Sequence, residues 1–250
     1  MRFLAPILLT GGLALTACAE PGPTDSSPPT LADAGADPAA ATATHRYRIT
    51  LENLTTGQVF SPGVAATHTK DASVWAPGAA ASEGIRLIAE DGLETTAVAE
   101  LTGAPGIFDV VDIVSPTNRV GGGAPLPNPQ TFEITAAANA NRLSLAVMLI
   151  CTNDGFAGLS GVKLPGGFRP DVHEVGARDA GTEQNNERFD QIVDACTQAG
   201  PVAHPPDGNG RVATSGVILP HPNIQGVRDL SVALHGWSFP VARITVQRIR

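Results

Sequence analysis

The sequence predicts an all-β protein, a β-sandwich with one or two short helices in one connection. Short alternating or apolar runs recur from residue 46 to the C-terminus, and loops rich in glycine and proline separate them. The run at 143–151 is apolar almost throughout and has the length of one strand. We therefore expect it to form a central strand that is covered on both faces.

The elements follow in order from these patterns. The first strand is predicted at 46–52, where apolar and polar residues alternate, and a turn-rich connection follows at 53–62. A helix is predicted at 82–89 with Ser82 as its N-cap, and a second helix at 93–101. Further strands are predicted at 108–114, 131–135, 143–151, 215–219, 229–234 and 241–249.

The N-terminus has the pattern of an export signal. Arg2 precedes an apolar run at 3–14 that is too short to span a bilayer as a permanent helix. The run ends in Leu-Thr-Ala before Cys18, which resembles the lipobox of bacterial lipoproteins. That resemblance implies a signal peptide at 1–17, lipidation of Cys18 and attachment to a membrane of the bacterial cell envelope. Ala19, where an aspartate would favour the inner membrane, favours the outer membrane. The alternative is an ordinary secretory signal with an incidental cysteine.

Residues 18–45 are rich in Ala, Pro, Ser and Thr and have few apolar side chains. Such a segment cannot offset the entropy of ordering, so we expect a disordered tether in front of a folded domain at 46–250. The chain has 16 Lys and Arg against 24 Asp and Glu, a net charge of −8, and no basic stripe. This balance argues against nucleic acid as a partner and fits either a divalent cation or plain solubility. We expect a monomer.

Once Cys18 is lipidated, Cys151 and Cys196 are the only other cysteines. An even pair in an oxidising compartment predicts a disulfide. The alternative is a metal site, which the sequence favours less because neither cysteine has a CxxC partner or a nearby histidine. The six histidines are scattered, and no pair has the i, i+4 spacing of a zinc-binding helix.

Two acidic, glycine-containing loops are the strongest candidates for a functional site. Asp154 follows the central strand in the sequence TNDGF, and Asp179 begins the sequence DAGTE. Calcium prefers six to eight oxygen ligands, which carboxylates and backbone carbonyls on loops supply. The alternative is that each aspartate only caps its own turn. We expect Glu183 and Glu187 to be solvated or to support the site from outside.

Several motifs resemble those of the spondin N-terminal domain, and together they cover about 46–250. They are LSLAVM at 143–148, TNDGF at 152–156, DAGTEQN at 179–185, PVARITV at 240–246, and upstream ATH at 66–68, Trp75, ASEG at 81–84 and AEDG at 89–92. The resemblance implies an antiparallel sandwich of about eight strands, similar to membrane-binding C2 domains, with one bound calcium. The family ligands are two aspartates and a glutamate.

By motif, these ligands fall on Asp154, Asp179 and Glu133. If the strands at 131–135 and 143–151 formed a simple hairpin, Glu133 would lie tens of ångströms from Asp154. Either the connection crosses between sheets or the glutamate ligand lies elsewhere. Arg178 stands where the family usually has an aromatic residue, and its cation could compete with calcium for Asp179.

The leading function hypothesis is a non-enzymatic, calcium-binding adhesion or recognition domain for an unknown surface protein or glycan. It rests on the resemblance and on the lack of a catalytic pattern, since neither Gly-x-Ser-x-Gly nor a phosphate-binding glycine loop occurs. Two alternatives remain. One is a periplasmic hydrolase that uses Asp154 and Asp179 as a carboxylate pair, and the other is a structural envelope protein with an incidental metal.

Overall fold

The computed structural model describes residues 43–114, 127–203, 205–206 and 208–250. The predicted signal peptide, Cys18 and the predicted tether up to residue 42 lie outside the described residues. Thr44 and His45, which the sequence assigns to the tether, already belong to the first strand. In this part of the chain, none of the helices has the length and apolar character needed to cross a membrane.

Strands dominate the described residues. In chain order they are β1 (Thr44–Asn53), β2 (Phe60–His68), β3 (Ile107–Ile113), β4 (Gln130–Ala137), β5 (Arg142–Leu149), β6 (Gly155–Lys163), β7 (Asp171–Val175), β8 (Arg178–Asp179), β9 (Leu219–Pro220) and β10 (Ala242–Arg248). The helices are α1 (Glu83–Asp91), α2 (Thr95–Leu101), α3 (Ala195–Ala199) and α4 (Val232–His235), and Phe189–Gln191 forms a 3-10 turn.

The strands form two sheets whose neighbours are all antiparallel. A four-stranded sheet has the order β4-β1-β10-β7, and a six-stranded sheet has the order β3-β2-β5-β6-β8-β9. Eight of the described strands have five residues or more, and β8 and β9 have two each. The predicted all-β sandwich of about eight strands is confirmed, but the short helices lie in three connections rather than one.

The main core lies between the two sheets. The buried residues Ile49 and Leu51 of β1 pair with Val246 and Ile244 of β10. Because side chains alternate between the two faces of a strand, the apolar residues of both strands lie on the inner face of this sheet. Alternate residues of β5, among them Leu145, meet them from the six-stranded sheet. Burial of both inner faces is the chief source of stability in such a sandwich.

The outer face of the six-stranded sheet is covered by α1. Ile85, Ile88 and Ala89 of this helix pack against Ala146 of β5 in a second apolar cluster. Residues of β5 are therefore buried on both faces, as the sequence predicts. Ser82 caps α1, since its hydroxyl accepts the Ile85 N–H at 3.3 Å.

The connection between β4 and β5 crosses from one sheet to the other. β4 is the edge of the four-stranded sheet, β5 is central in the six-stranded sheet, and a bridge between Ala137 and Ala140 marks the crossing. The simple hairpin considered from the sequence is therefore absent. The predicted strand at 229–234 is also wrong, because Val232–His235 forms one helical turn. β2, β6 and β7 are strands that the sequence patterns do not reveal.

Candidate metal centre

Asp154 lies in the tight turn that joins β5 to β6. Thr152 closes this turn, because its hydroxyl donates to the Leu149 carbonyl at 2.6 Å and accepts the Gly155 N–H at 2.8 Å. The Asp154 carbonyl accepts the Ala180 N–H at 3.1 Å, which ties the turn to the start of the second acidic loop. As a result, Asp154 is fully buried at the end of the sandwich.

The Asp154 carboxylate is satisfied on one side only. Its Oδ2 atom accepts the backbone N–H groups of Thr182 at 2.8 Å and Glu183 at 3.0 Å. Its Oδ1 atom is buried and has no hydrogen-bond partner. A buried carboxylate oxygen without a partner is costly, and in native proteins it commonly marks a functional position or an ion site.

Asp179 begins the second acidic loop, directly beside the first. It pairs with Gly155 across β6 and β8, so the strand register brings the two aspartates together. Its Oδ1 accepts the Gly181 N–H at 2.7 Å, and its Oδ2 accepts the Asn185 amide at 2.5 Å. Gly181 has φ +72, a conformation that glycine adopts without strain, and this lets the loop fold back over Asp154.

The two aspartates influence each other electrostatically. Burial raises the pKa of Asp154 to about 6, and the charge of Asp179 adds to the increase against the lowering effect of the backbone donors. Among the described residues, no lysine or arginine forms an ion pair with either aspartate. Arg178 therefore does not pair with Asp179 here, and it lies opposite Phe156 in the sheet.

Two buried glutamates adjoin the aspartates. Glu90, at the end of α1, and Glu183, in the second acidic loop, are 2% and 3% exposed. Burial raises the pKa of Glu183 to about 8, the Asn153 amide opposes this rise, and the charge of Glu90 adds to it. The sequence predicts that Glu183 is either solvated or supports the site from outside, and its burial excludes the first of these. The sequence does not single out Glu90 as a site residue, although the AEDG motif at 89–92 contains it.

Arg211 and Arg86 supply the positive charge of this cluster. The Nε atom of Arg211 lies 3.2 Å from Glu90 and 3.9 Å from Glu183, and its guanidinium also pairs with Asp91. Arg86 binds Glu90 from within α1 at 2.6 Å. Arg211 reaches the cluster from a loop far along the chain, so no local sequence signal identifies it.

Behind the second acidic loop lies a small cavity of about 20 Å³, lined in part by Asn185, Glu187 and His221. This volume suffices for one water molecule. Burial lowers the pKa of His221 to about 4, and its Nε2 atom is buried without a partner. Glu187 is not free to bind a cation, because its carboxylate accepts the backbone N–H groups of Gln225 and Val227.

Glu133 is not part of the cluster. It lies in β4 opposite Arg48, exposed on the outer face of the four-stranded sheet. Its carboxylate pairs with Arg46 at 3.2 Å and Arg48 at 3.7 Å. Because the chain changes sheets after β4, the structure does not bring this predicted ligand to Asp154 and Asp179.

Cys151 and Cys196 form a disulfide with their Cα atoms 4.9 Å apart. It joins the residues after β5 to α3 and closes a loop that contains both acidic segments. Among the described residues, only these cysteines and His235 form a group of three potential ligand atoms within 4.8 Å. The carboxylate oxygens of the acidic loops are therefore farther apart than three ligand atoms of one ion. Asp154 and Asp179 are the carboxylates that would hold a cation, and backbone carbonyls and water would have to complete its coordination.

Together, the sandwich and its acidic end define a β-sandwich domain whose loops converge on buried carboxylates. The family model of the spondin N-terminal domain (Spondin_N) matches residues 47–188, more than half of the chain. The chain belongs to the spondin N-terminal domain family, as its motifs predict. Membership points to a recognition or adhesion domain of the extracellular type. No curated protein matches the chain. The matched region contains Glu90, Asp154 and Asp179 and ends before Arg211.

Proposed function

We propose that the protein is a non-enzymatic recognition or adhesion domain, displayed at the bacterial cell envelope, whose acidic loops bind calcium. The calcium proposal rests on the Oδ1 atom of Asp154, which is buried and has no hydrogen-bond partner. A second aspartate, Asp179, lies on the neighbouring strand. An oxygen ligand that is desolvated in advance favours a hard cation, because the cation supplies the interaction that water no longer gives.

Charge supports the same proposal. Asp154 and Asp179 have no basic partner among the described residues, whereas Glu90 and Glu183 have Arg211 close by. The two aspartates are therefore the groups whose charge is least compensated. A divalent ion between them would remove their mutual repulsion, which is one cause of the raised pKa of Asp154.

The expected role of the ion is to fix the loops. Asp154 and Asp179 lie on two segments that are joined by the short pairing of β6 with β8 and by backbone N–H groups of the second acidic loop that donate to Asp154. An ion bound by both segments would hold the exposed loops at this end in one conformation, which lowers the entropy cost of binding a partner. Extracellular calcium modules bind at about 10⁻⁴–10⁻³ M, and we expect this range.

The lipobox resemblance around Cys18 supports display on a membrane. A lipidated N-terminus followed by a polar tether would present the domain to ligands outside the membrane. The nature of the family favours a surface protein or glycan as that ligand. The outer membrane is the expected location.

Calcium titration with thermal unfolding tests the metal site directly. The full chain, stripped with a chelator, is expected to unfold at a higher temperature as calcium rises to about 1 mM. Asp154→Asn and Asp179→Asn should each abolish the increase. Glu133→Gln is the matched control, since it removes the other predicted ligand carboxylate and should leave the increase unchanged.

The control also decides between two sites. A response that is lost in Glu133→Gln and kept in Asp154→Asn would refute the proposed site, and no response in the wild-type chain would refute calcium binding. Recognition is tested separately by binding of the chain to purified envelope glycans and proteins, with calcium or with chelator. Turnover of any substrate in a broad hydrolase panel that disappears in Asp179→Asn would favour the enzyme alternative.

A further inference from the structure

The disulfide lies next to a histidine that the sequence does not associate with it. A ring nitrogen of His235 and the sulfur atoms of Cys151 and Cys196 all lie within 4.8 Å of one another. All three residues are fully buried. Apolar side chains surround the cysteines, including Met148, Ile192 and Leu230. Sulfur and imidazole ligands in a water-poor site are typical of zinc rather than calcium.

A buried glutamine holds Cys151 and His235 in place. The Gln58 side-chain amide donates to the His235 carbonyl at 2.7 Å and to the Cys151 carbonyl at 3.2 Å. Its oxygen accepts the Cys151 N–H at 3.0 Å. The backbone positions of Cys151 and His235 are therefore fixed relative to each other by bonds that do not involve the disulfide.

The His235 ring has one free nitrogen. Its Nδ1 atom accepts the Ser231 N–H at 2.9 Å and also lies 3.3 Å from the Ser231 carbonyl oxygen. Its Nε2 atom is buried and has no hydrogen-bond partner. A metal-bound histidine usually donates its other ring N–H to a carbonyl or carboxylate, and the Ser231 carbonyl is available for this purpose.

We propose that Cys151, Cys196 and His235 form a zinc site once a dithiol has reduced the disulfide. Zinc binds sulfur at about 2.3 Å and nitrogen at about 2.0–2.1 Å, so ligand atoms of one ion lie about 4 Å apart or less. The two sulfur atoms are bonded in the disulfide and move apart to this spacing after reduction, and a ring nitrogen of His235 already lies within 4.8 Å of both. The fourth position of a tetrahedral ion is then left to water, as in sites with three protein ligands.

The charge of the filled site suits its surroundings. Two thiolates, one neutral imidazole and Zn²⁺ sum to zero, whereas a buried site with a net charge would be costly among apolar side chains. Calcium is disfavoured, because it prefers oxygen ligands. The charge sum disfavours a monovalent soft cation, because two thiolates and one such ion would leave the buried site with one negative charge.

The chemistry balances as follows. The dithiol gives two electrons and two protons to the disulfide, the S–S bond breaks, and the dithiol becomes a disulfide. Zinc binding forms two Zn–S bonds and releases the two thiol protons to solvent. His235 binds through Nε2 after its ring proton moves to Nδ1, which then donates to the Ser231 carbonyl and no longer accepts the Ser231 N–H. In this state the ion replaces the disulfide as the link between the end of β5 and α3.

The test uses the full chain carrying Cys18→Ser, so that Cys151 and Cys196 are the only thiols. The chain is reduced with dithiothreitol, desalted without oxygen, and titrated with Zn²⁺ and Co²⁺. We expect one zinc per reduced chain, protection of both thiols from a thiol reagent, and thiolate-to-cobalt charge-transfer absorption. The oxidised chain should show none of these. Asp154→Asn should not change them, which separates this site from the calcium proposal.

His235→Gln is the decisive variant, and His45→Gln is its matched control in β1. Loss of one ligand should weaken zinc binding at least about tenfold in His235→Gln and leave it unchanged in His45→Gln. Thermal unfolding of the reduced chains shows whether each is folded, and His235→Asn provides a second, smaller replacement. The proposal is overturned if both His235 variants bind zinc as tightly as the parent, if the reduced chain is unfolded, or if the oxidised chain binds equally well.

Discussion

Glu183 both stabilises and opposes the charge at Asp154. Its backbone N–H donates to Asp154 Oδ2 at 3.0 Å. Its own buried carboxylate lies in the same cluster, where burial is the main cause of its raised pKa and the charges of Glu90 and Asp154 contribute. At the acidic end of the sandwich, backbone hydrogen bonds therefore stabilise the fold, whereas repulsion between the carboxylates destabilises it. Protonation or a bound cation would reduce this repulsion.

The calcium-free chain should lose stability as pH rises from about 6.5 to about 8. The pKa of Glu183 is about 8 when folded and near its ordinary 4.5 when unfolded, so the folded chain binds more protons in this window. The unfolding free energy should fall by about 1–2 kcal/mol, measured by urea unfolding at each pH. His221 and His235, whose pKa values are lowered on folding, act in the opposite direction near pH 6.5 and offset part of the decline, and their effect fades above about pH 7.5. Glu183→Gln should remove the decline, and Glu133→Gln should keep it.

Asp154→Asn should have opposite effects without and with calcium. Burial disfavours the Asp154 charge, so the neutral amide should leave the calcium-free chain as stable as the wild type or more stable at about pH 8. With calcium present, the variant should be the less stable of the two. Urea unfolding under both conditions measures this crossing, and a variant that is destabilised equally in both would show that Asp154 has only a packing role.

Gly181→Ala should destabilise the chain more than Gly78→Ala does. Both glycines have positive φ, +72 and +80, so alanine is strained at either position. A Cβ at Gly181 would lie 2.7 Å from backbone atoms of Val217, whereas nothing lies within 4 Å at Gly78. We expect about 1 kcal/mol for Gly78→Ala and a further 1–3 kcal/mol or so for Gly181→Ala. Equal losses in chemical unfolding would mean that the loop at 216–217 moves aside.

Arg211→Gln should weaken the calcium-free fold and strengthen calcium binding. The change removes a cation from Glu90, Asp91 and Glu183, and we expect a loss of about 1–3 kcal/mol because Arg211 is partly exposed. The added negative potential should raise calcium affinity, measured by isothermal titration calorimetry. Arg243→Gln is the control, since Arg243 pairs with Glu52 and Glu174 on the other sheet and should affect neither quantity by much.

Cys18→Ser should release the protein from membranes. If Cys18 carries the predicted lipid, the wild-type chain expressed in a Gram-negative host should incorporate labelled fatty acid and partition into detergent. The variant should do neither, because the predicted anchor is lost. A variant that still partitions into detergent would favour a different mode of membrane attachment.

Elements with an alternating or a continuous apolar pattern could be predicted from the sequence, and strands that glycines interrupt could not. The alternation in β1 and β10 and the N-cap at Ser82 gave the correct element types within a few residues. β6 was missed because its glycines interrupt any pattern. A Cβ at Gly158 would lie 1.9 Å from the Leu145 carbonyl, so a close approach of strands dictates glycine there. The run at 229–234 is apolar enough for a strand, yet its end forms the helical turn that places His235 beside the disulfide.

The two aspartates of the candidate site could be chosen from composition and motif, but their neighbours depend on tertiary pairing. β8 brings Asp179 beside Gly155, and no local pattern predicts a strand of two residues. The resemblance assigns Glu133 as a ligand, but this residue lies on the other sheet. Glu90 lies in the cluster, within another motif that resembles the same family. The difference arises from the crossing between β4 and β5, which a strand-by-strand analysis does not reveal.

The bond between Cys151 and Cys196 has a topological consequence for the acidic loops. It turns the 45-residue stretch between them into a covalent ring that contains Asp154, Asp179 and Glu183. The segments of a closed ring explore far fewer arrangements than those of an open chain, even when the surrounding strands fray. Whether the disulfide is oxidised or reduced therefore affects how readily the acidic loops refold after partial unfolding. Oxidised and reduced molecules of identical sequence should differ in how quickly they recover cation uptake.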